Sequence, residues 1–166
     1  MNGNLDAGTT IYVSSAQELS EAYELLSNSP GGGTIQISTG TERFDISLEG
    51  GGAEQVTIAS ADPQQPFVSG RILLLDVDNV SIDSIDVDNS GTIVPATNNA
   101  FFISDCSGIN LSNFTAIGNA NGYYDPDDPE SVRAVTFGSI RASEDVTIQN
   151  VQASHYFHGI TAVSYT

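Results

Sequence analysis

Four carboxylates in one short segment are the side chains of this sequence best suited to bind a metal ion. They are Asp125, Asp127, Asp128 and Glu130, and two prolines stiffen the turn between them. Carboxylate oxygens are the hard ligands that Ca²⁺ prefers in proteins. The segment therefore predicts a calcium site. The spacing matches no standard calcium-binding loop, so the alternative is an acidic loop that is exposed to solvent.

Aromatic and cationic side chains flank this acidic segment. Tyr123 and Tyr124 precede it, and Arg133 follows it. Aromatic rings pack well against the apolar faces of sugar rings, and a guanidinium group pairs with a carboxylate. The combination predicts a site that holds a sugar through a bound cation while Arg133 meets an acidic group. The alternative for the two tyrosines is packing within the loop.

Two histidines and another arginine complete the set of candidate substrate-binding residues. His155 and His158 flank Tyr156, and histidine is the side chain that titrates near neutral pH, so the three could transfer protons. Arg141 lies at the end of a predicted strand. The alternative for the histidines is packing at a corner or an edge. No lysine or second catalytic carboxylate completes an acid–base pair, so catalytic residues stay unassigned.

Composition limits the classes of partner. The chain has 166 residues, no lysine, four arginines and 21 aspartates and glutamates, with a formal charge of −17. Such a charge repels nucleic acids and anionic membranes, and no apolar run approaches the length of a membrane helix. We expect one soluble domain suited to salty water, divalent cations or a basic partner.

One apolar rhythm recurs in three stretches and predicts the fold. A step of two keeps successive side chains on one face of a strand, so a step of three between two such steps inserts a bend between two separate short strands. The three units are Val80, Ile82, Ile85 and Val87; then Ile109, Leu111, Phe114 and Ala116; then Val146, Ile148, Val151 and Ala153. A further pair precedes each unit: Ile72 and Leu74, then Phe101 and Ile103, then Gly138 and Ile140. Three strands per turn predict an all-β, right-handed, single-stranded parallel β-helix over residues 34–166.

The same alignment locates two insertions. The first strands of successive coils begin at Ile72, Phe101, Gly138 and about Ile160. The last interval is the shortest and predicts the bare coil, so the longer intervals contain inserted loops. Both insertions, Asn89–Ala100 and Gly118–Arg133, follow a third strand, and we expect them to stack on one edge. Neighbouring loops on a rigid scaffold commonly form the binding face.

Residues 1–33 predict a strand and a capping helix. Ser15 and Glu18 form a capping box after a strand at Ile11–Val13. The apolar residues Leu19, Ala22, Tyr23 and Leu26 then form one helical stripe. A helix laid across the first coil would cover its core. Cys106 has no cysteine partner, and its position between apolar strands predicts a buried or corner thiol.

The last residues, 158–166, read as the first strand of another coil. We therefore expect the C-terminal end to be open, and the chain to be the N-terminal part of a longer solenoid or to have this edge covered by another chain. The first ten residues lack the features of a signal peptide, so the route of export stays open.

Four motifs resemble secreted pectate-lyase-like β-helix proteins, and especially the alginate lyase and chondroitinase B type and marine repeats-in-toxin β-helix proteins. They are residues Ile11–Leu19, Gly31–Ile35, Val56–Pro63 and Asn79–Ile82. The resemblance implies an extracellular protein associated with polysaccharides, with a lyase or epimerase activity that uses Ca²⁺. Such lyases use a lysine base and an arginine acid, and this chain has no lysine.

Three functional classes remain open at this stage. The first is the N-terminal part of a carbohydrate-active enzyme on an acidic polysaccharide, with most catalytic residues beyond this chain. The second is a non-catalytic extracellular scaffold or adhesin that binds glycan or calcium. The third is a segment of a phage spike or fibre, for which only the fold argues.

Overall fold

The computed structural model describes residues 6–90, 99–118, 127, 136–156 and 158–163. Within these residues the chain forms one helix, α1 (Ala16–Ser27), and thirteen strands. The strands are β1 (Thr9–Val13), β2 (Gly33–Ile37), β3 (Ile46–Glu49), β4 (Val56–Ser60), β5 (Val68–Ser69), β6 (Ile72–Leu75), β7 (Val80–Asp83), β8 (Asp86–Asp88), β9 (Asn99–Ser104), β10 (Ser107–Ile117), β11 (Thr136–Arg141), β12 (Glu144–Ser154) and β13 (His158–Val163). None of the described residues belongs to a helix that is long and apolar enough to cross a membrane.

The strands form two parallel sheets, and the chain passes repeatedly between them. The first sheet has the order β1-β2-β4-β7-β10-β8-β5, with β12 also paired to β10; the second has the order β13-β11-β9-β6-β3. Parallel neighbours cannot be joined by a tight hairpin. Here β1 and β2 are joined through α1, and every other connection between neighbours of one sheet includes a strand of the other sheet. The predicted all-β parallel fold with one N-terminal helix is confirmed.

The register predicted from the apolar rhythm is also confirmed. Leu111 pairs with Ile82 on one side and with Ile148 on the other. The second predicted column, Val87, Ala116 and Ala153, is paired in the same way. In the second sheet, the predicted first-strand positions align in the order Ile72, Phe101, Gly138 and Ile160.

The step of three between apolar residues produces the predicted bend. Two residues separate the apolar positions at each step of three, and the second of them has a left-handed backbone conformation in every unit. These residues are Ser84, Asn113 and Asn150, with φ of 55°, 56° and 52°. Only the first bend separates two strands, β7 and β8. In β10 and β12 the pairing continues on both sides of the bend, from Ser112 with Gln149 to Phe114 with Val151. The expectation of two separate strands is therefore wrong for these two units, because their hydrogen bonding resumes directly after one bent residue.

The helix caps the first strands as predicted. Ser15 is the N-cap, and its Oγ accepts a hydrogen bond from the Glu18 amide at 3.2 Å. The Glu18 carboxylate reaches back one residue further than a capping box requires and accepts from the amide and hydroxyl of Ser14. Leu19, Tyr23 and Leu26 are buried. The helix packs against β1, β2, β3 and β4.

Candidate functional site

Most of the residues predicted to bind calcium or substrate lie outside the described part of the chain. These are Tyr123, Tyr124, Asp125, Asp128, Glu130, Arg133 and the side chain of His158. Asp127 is described, as an exposed residue in a turn. No group of three or more histidine, cysteine, aspartate or glutamate side chains is placed to hold a metal ion among the residues that the structure describes. The calcium site at residues 125–130 therefore stays a prediction.

The described ends of the two predicted insertions lie side by side. The Asn89 amide donates to the carbonyl of Ile117 at 3.0 Å, and the Gly118 amide donates to the carbonyl of Ser154 at 2.9 Å. The strands that follow the insertions also start together, because Asn99 pairs with Thr136. Both insertions thus begin at neighbouring positions of the first sheet. They end at neighbouring positions of the second sheet. These ends agree with the prediction of one shared edge.

The outward face of the second sheet carries an apolar patch that the sequence did not reveal. Phe102 lies between Phe101 and Ile103, which are fully buried, so its own side chain points outward and is partly exposed. Leu73 and Leu75 alternate in the same way with the buried Ile72 and Leu74. Leu73 pairs with Phe102 in the neighbouring strand.

Among the predicted binding residues whose side chains are described, Arg141 is the one that lies at this face. Its guanidinium carbon lies 5.2 Å from the centre of the Phe102 ring, which is within the range of a cation–π contact. We call Leu73, Leu75, Phe102 and Arg141 the outer patch. In the described part of the chain, Arg141 has no carboxylate within ion-pair distance, since the ion pair found there joins Arg43 to Asp88. Its N–H groups can therefore take an anionic partner.

Two members of the predicted proton-transfer group, His155 and Tyr156, are described, and the side chain of His158 lies outside the described residues. Tyr156 packs on Phe137, with ring centres 5.5 Å apart, and its hydroxyl donates to Asn89 Oδ1 at 2.7 Å. Burial, aided by the charge of Asp88, raises the pKa of Tyr156, so its hydroxyl stays protonated. His155 is exposed at a bend that follows β12, with Nδ1 3.1 Å from Ser154 Oγ. Tyr156 is a packing residue.

An acidic depression lies at the corner between the two sheets. Asp78, Asp105 and Glu144 line it together with Cys106, and its volume is about 490 Å³. Cys106 is 3% exposed, as predicted for a buried corner thiol, and its Sγ lies 3.1 Å from the carbonyl of Ser104. Burial raises the pKa of the thiol, which keeps it in its neutral, weakly nucleophilic form.

Asp83 is held by a set of hydrogen bonds at the bend of the first sheet. Its carboxylate accepts from Ser112 Oγ at 2.7 Å, from Asn113 Nδ2 at 2.6 Å and from Ser84 Oγ at 2.9 Å. Asn113 Oδ1 in turn accepts from Asn150 Nδ2 at 3.0 Å. Asp83 therefore links β7 to β10, and Asn113 extends the same network to β12.

Asp83 should make stability depend on pH. Burial alone would raise its pKa, but the hydrogen bonds from Ser112, Asn113 and Ser84 outweigh burial and hold the pKa below its usual value. A carboxylate with a lowered folded-state pKa stabilises the fold above its unfolded pKa of about 3.9, and this contribution is lost as the pH falls through the folded value. We expect urea midpoints measured from pH 6 to pH 3 to fall less steeply below about pH 4 in Asp83→Asn. Equal slopes for both proteins would contradict this role.

No protein family, curated protein or solved structure matches this chain in comparisons of its sequence and structure with known proteins.

Proposed function

We propose that this chain is an extracellular right-handed parallel β-helix of the pectate-lyase-like kind that binds an acidic polysaccharide at its outer patch. The aligned columns of paired residues and the repeated passage between two parallel sheets support the β-helix. Crossovers between parallel strands are right-handed in about 98% of cases, which supports the hand. The high negative charge and the resemblance of the N-terminal motifs support the extracellular, polysaccharide-associated class.

The contact between Arg141 and Phe102 carries the proposed binding function. The aromatic ring and the two leucines offer an apolar surface for the face of a sugar ring, and the ring holds the guanidinium beside it. A guanidinium group binds a carboxylate through two parallel hydrogen bonds. The parallel strands β6, β9 and β11 present these groups on neighbouring strands about 4.8 Å apart. A uronate, which combines an apolar ring face with a carboxylate, fits both parts.

Binding assays with alginate, chondroitin and pectin, compared with an uncharged glycan, test this proposal. We expect Arg141→Gln to weaken binding of the acidic glycans by about tenfold or more, because a hydrogen bond to a charged group contributes about 1.5–3 kcal/mol. Phe102→Ala should weaken binding of acidic and neutral glycans alike. Glu21→Gln, a change of one charged side chain on the exposed face of α1 and outside the outer patch, should leave glycan binding unchanged. Glycan binding that is unaffected by both patch variants would refute the proposal.

The same assays address calcium and catalysis. We propose that Asp125, Asp127, Asp128 and Glu130 hold Ca²⁺, so binding and thermal stability should increase with calcium and decrease with a chelator. A ligand at about 100 times its dissociation constant adds roughly 2.7 kcal/mol of stability. Asp127→Asn combined with Asp128→Asn should abolish the difference. Release of unsaturated sugar products during the assay would identify a lyase, and binding without cleavage would favour a scaffold.

A structural role in assembly is a second candidate function, favoured by the exposure of the terminal strands. Among the described strands, β13 pairs with β11 alone, and Ile160 is 47% exposed; Val146, Ile148 and Val151 of β12 are only partly buried. An unpaired edge with apolar side chains can pair with further strands or with a second copy. We expect light scattering to show association that grows with protein concentration and is reduced by Ile160→Lys. A constant monomer mass would exclude this role for the chain studied.

A further inference from the structure

A small cavity lies at the corner between the end of β2 and β5. Its volume is about 260 Å³, and residues 37–41, Arg43 and residues 65–68 line it. Pockets for drug-sized ligands have volumes of about 300–1,000 Å³. This cavity is smaller, so it fits a ligand of about the size of one sugar ring.

The cavity combines an apolar base with a polar rim. Ile37 and Phe67 are buried, and the Phe67 ring packs on Phe44 with ring centres 4.6 Å apart. The rim contains the hydroxyl groups of Thr39 and Thr41 and the exposed amide of Gln65. An apolar surface with a few polar groups around it is the usual composition of a small-molecule site.

Arg43 supplies the positive charge at this cavity. Its side chain is 44% exposed, and Nη1 lies 3.5 Å from Asp88 Oδ2. A guanidinium group has five N–H donors, so this single long contact leaves donors for a ligand.

We propose that this cavity binds a small hydroxylated carboxylate, of the chemical class of the sugar acids. Arg43 pairs with the carboxylate, the side chains of Thr39 and Gln65 bond to hydroxyl groups, and Phe67 supports the apolar side of the ligand. Asp88 competes with the ligand carboxylate for Arg43. The site shares no residue with the outer patch and does not rest on the function proposed for that patch.

Amide NMR spectra of the intact chain, titrated with glucuronate and with glucose, test the proposal. We expect glucuronate to shift the signals of Gly40, the Gln65 side chain and Val68, and to bind at least about tenfold more tightly than glucose, a difference of about 1.4 kcal/mol. Equal affinity for the two sugars, or shifts confined to other parts of the protein, would overturn it.

Two substitutions should act in opposite directions. Arg43→Gln should weaken glucuronate binding to the level of glucose. Asp88→Asn should tighten it, because the competing charge is removed while an amide oxygen can still accept the hydrogen bonds from Ser90 at 2.9 and 2.6 Å. Arg141→Gln, at the outer patch, should change nothing at this cavity. Unchanged binding in Arg43→Gln, or weaker binding in Asp88→Asn, would refute the assignment.

Discussion

Replacing Ile82 with aspartate is expected to remove most of the stability of this protein. Ile82 is 2% exposed and pairs with Ile58 in β4 and with Leu111 in β10, so its side chain has apolar neighbours in both adjacent strands. A carboxylate there would be buried without a partner, which costs at least about 4 kcal/mol. Whole domains are stable by only about 5–15 kcal/mol. Circular dichroism during thermal and urea unfolding measures the loss.

Ser81→Asp provides the matched control for this substitution. Ser81 is the neighbouring residue of β7 and points outward, where its Oγ lies 3.3 Å from Gln55 Nε2. The same charge placed on the solvent side of the same strand should change stability by about 0.5 kcal/mol or less. If both variants unfold at the same urea concentration, the inward column through Ile82 is not the core of the sheet.

The apolar rhythm of the sequence predicted the register of the strands because one face of each strand is buried. A shift by one residue would move Ile82 and Leu111 to the outside, so burial permits one alignment of the two strands. The bends at Ser84 and Asn113 were predictable for the same reason, since a step of three cannot keep both apolar pairs inside without a bend. The helix was predictable from its cap, Ser15, and its apolar stripe.

The same rhythm could not reveal the outer patch. The stretches from Ile72 to Leu75 and from Ala100 to Ile103 are apolar at every position, so alternation cannot separate the inward residues from the outward ones. The distance to the following unit predicted Phe101 and Ile103 as the pair on one face, but only the structure shows that Phe102 lies beside Leu73 and contacts Arg141. Strand β3 was missed for a related reason, because Ile46 and Leu48 are a single apolar pair without a following unit.

The cavity at Arg43 was also beyond prediction from the sequence. Its two walls, residues 37–43 and 65–68, come from different passages between the sheets, and neither contains the apolar rhythm. Arg43 reaches Asp88 of β8, which belongs to a third segment. Contacts of this kind depend on how the corners stack, and spacing along the chain does not determine that.

Replacing Gly138 with valine is the other change for which we expect a large loss of stability. The sequence shows glycine where the aligned strands have Ile72 and Phe101, and the structure gives the reason: a side chain at Gly138 would overlap the ring of Phe101. That ring is fully buried and packs edge-on against Phe137 at 5.1 Å, so it has no space to move. Overpacking of this kind costs about 3 kcal/mol, measured as a shift of the urea midpoint.

A second substitution tests whether the Phe101 ring is the cause. Phe101→Leu makes room beside residue 138, so we expect the double variant to be more stable than the sum of the single losses predicts, by about 0.5–3 kcal/mol. Gly159→Ala, in the neighbouring strand β13, is the control, because a side-chain carbon there meets no atom within 4 Å. Strictly additive losses for Gly138→Val and Phe101→Leu would mean that the two positions do not share one space, and that glycine at 138 has another cause.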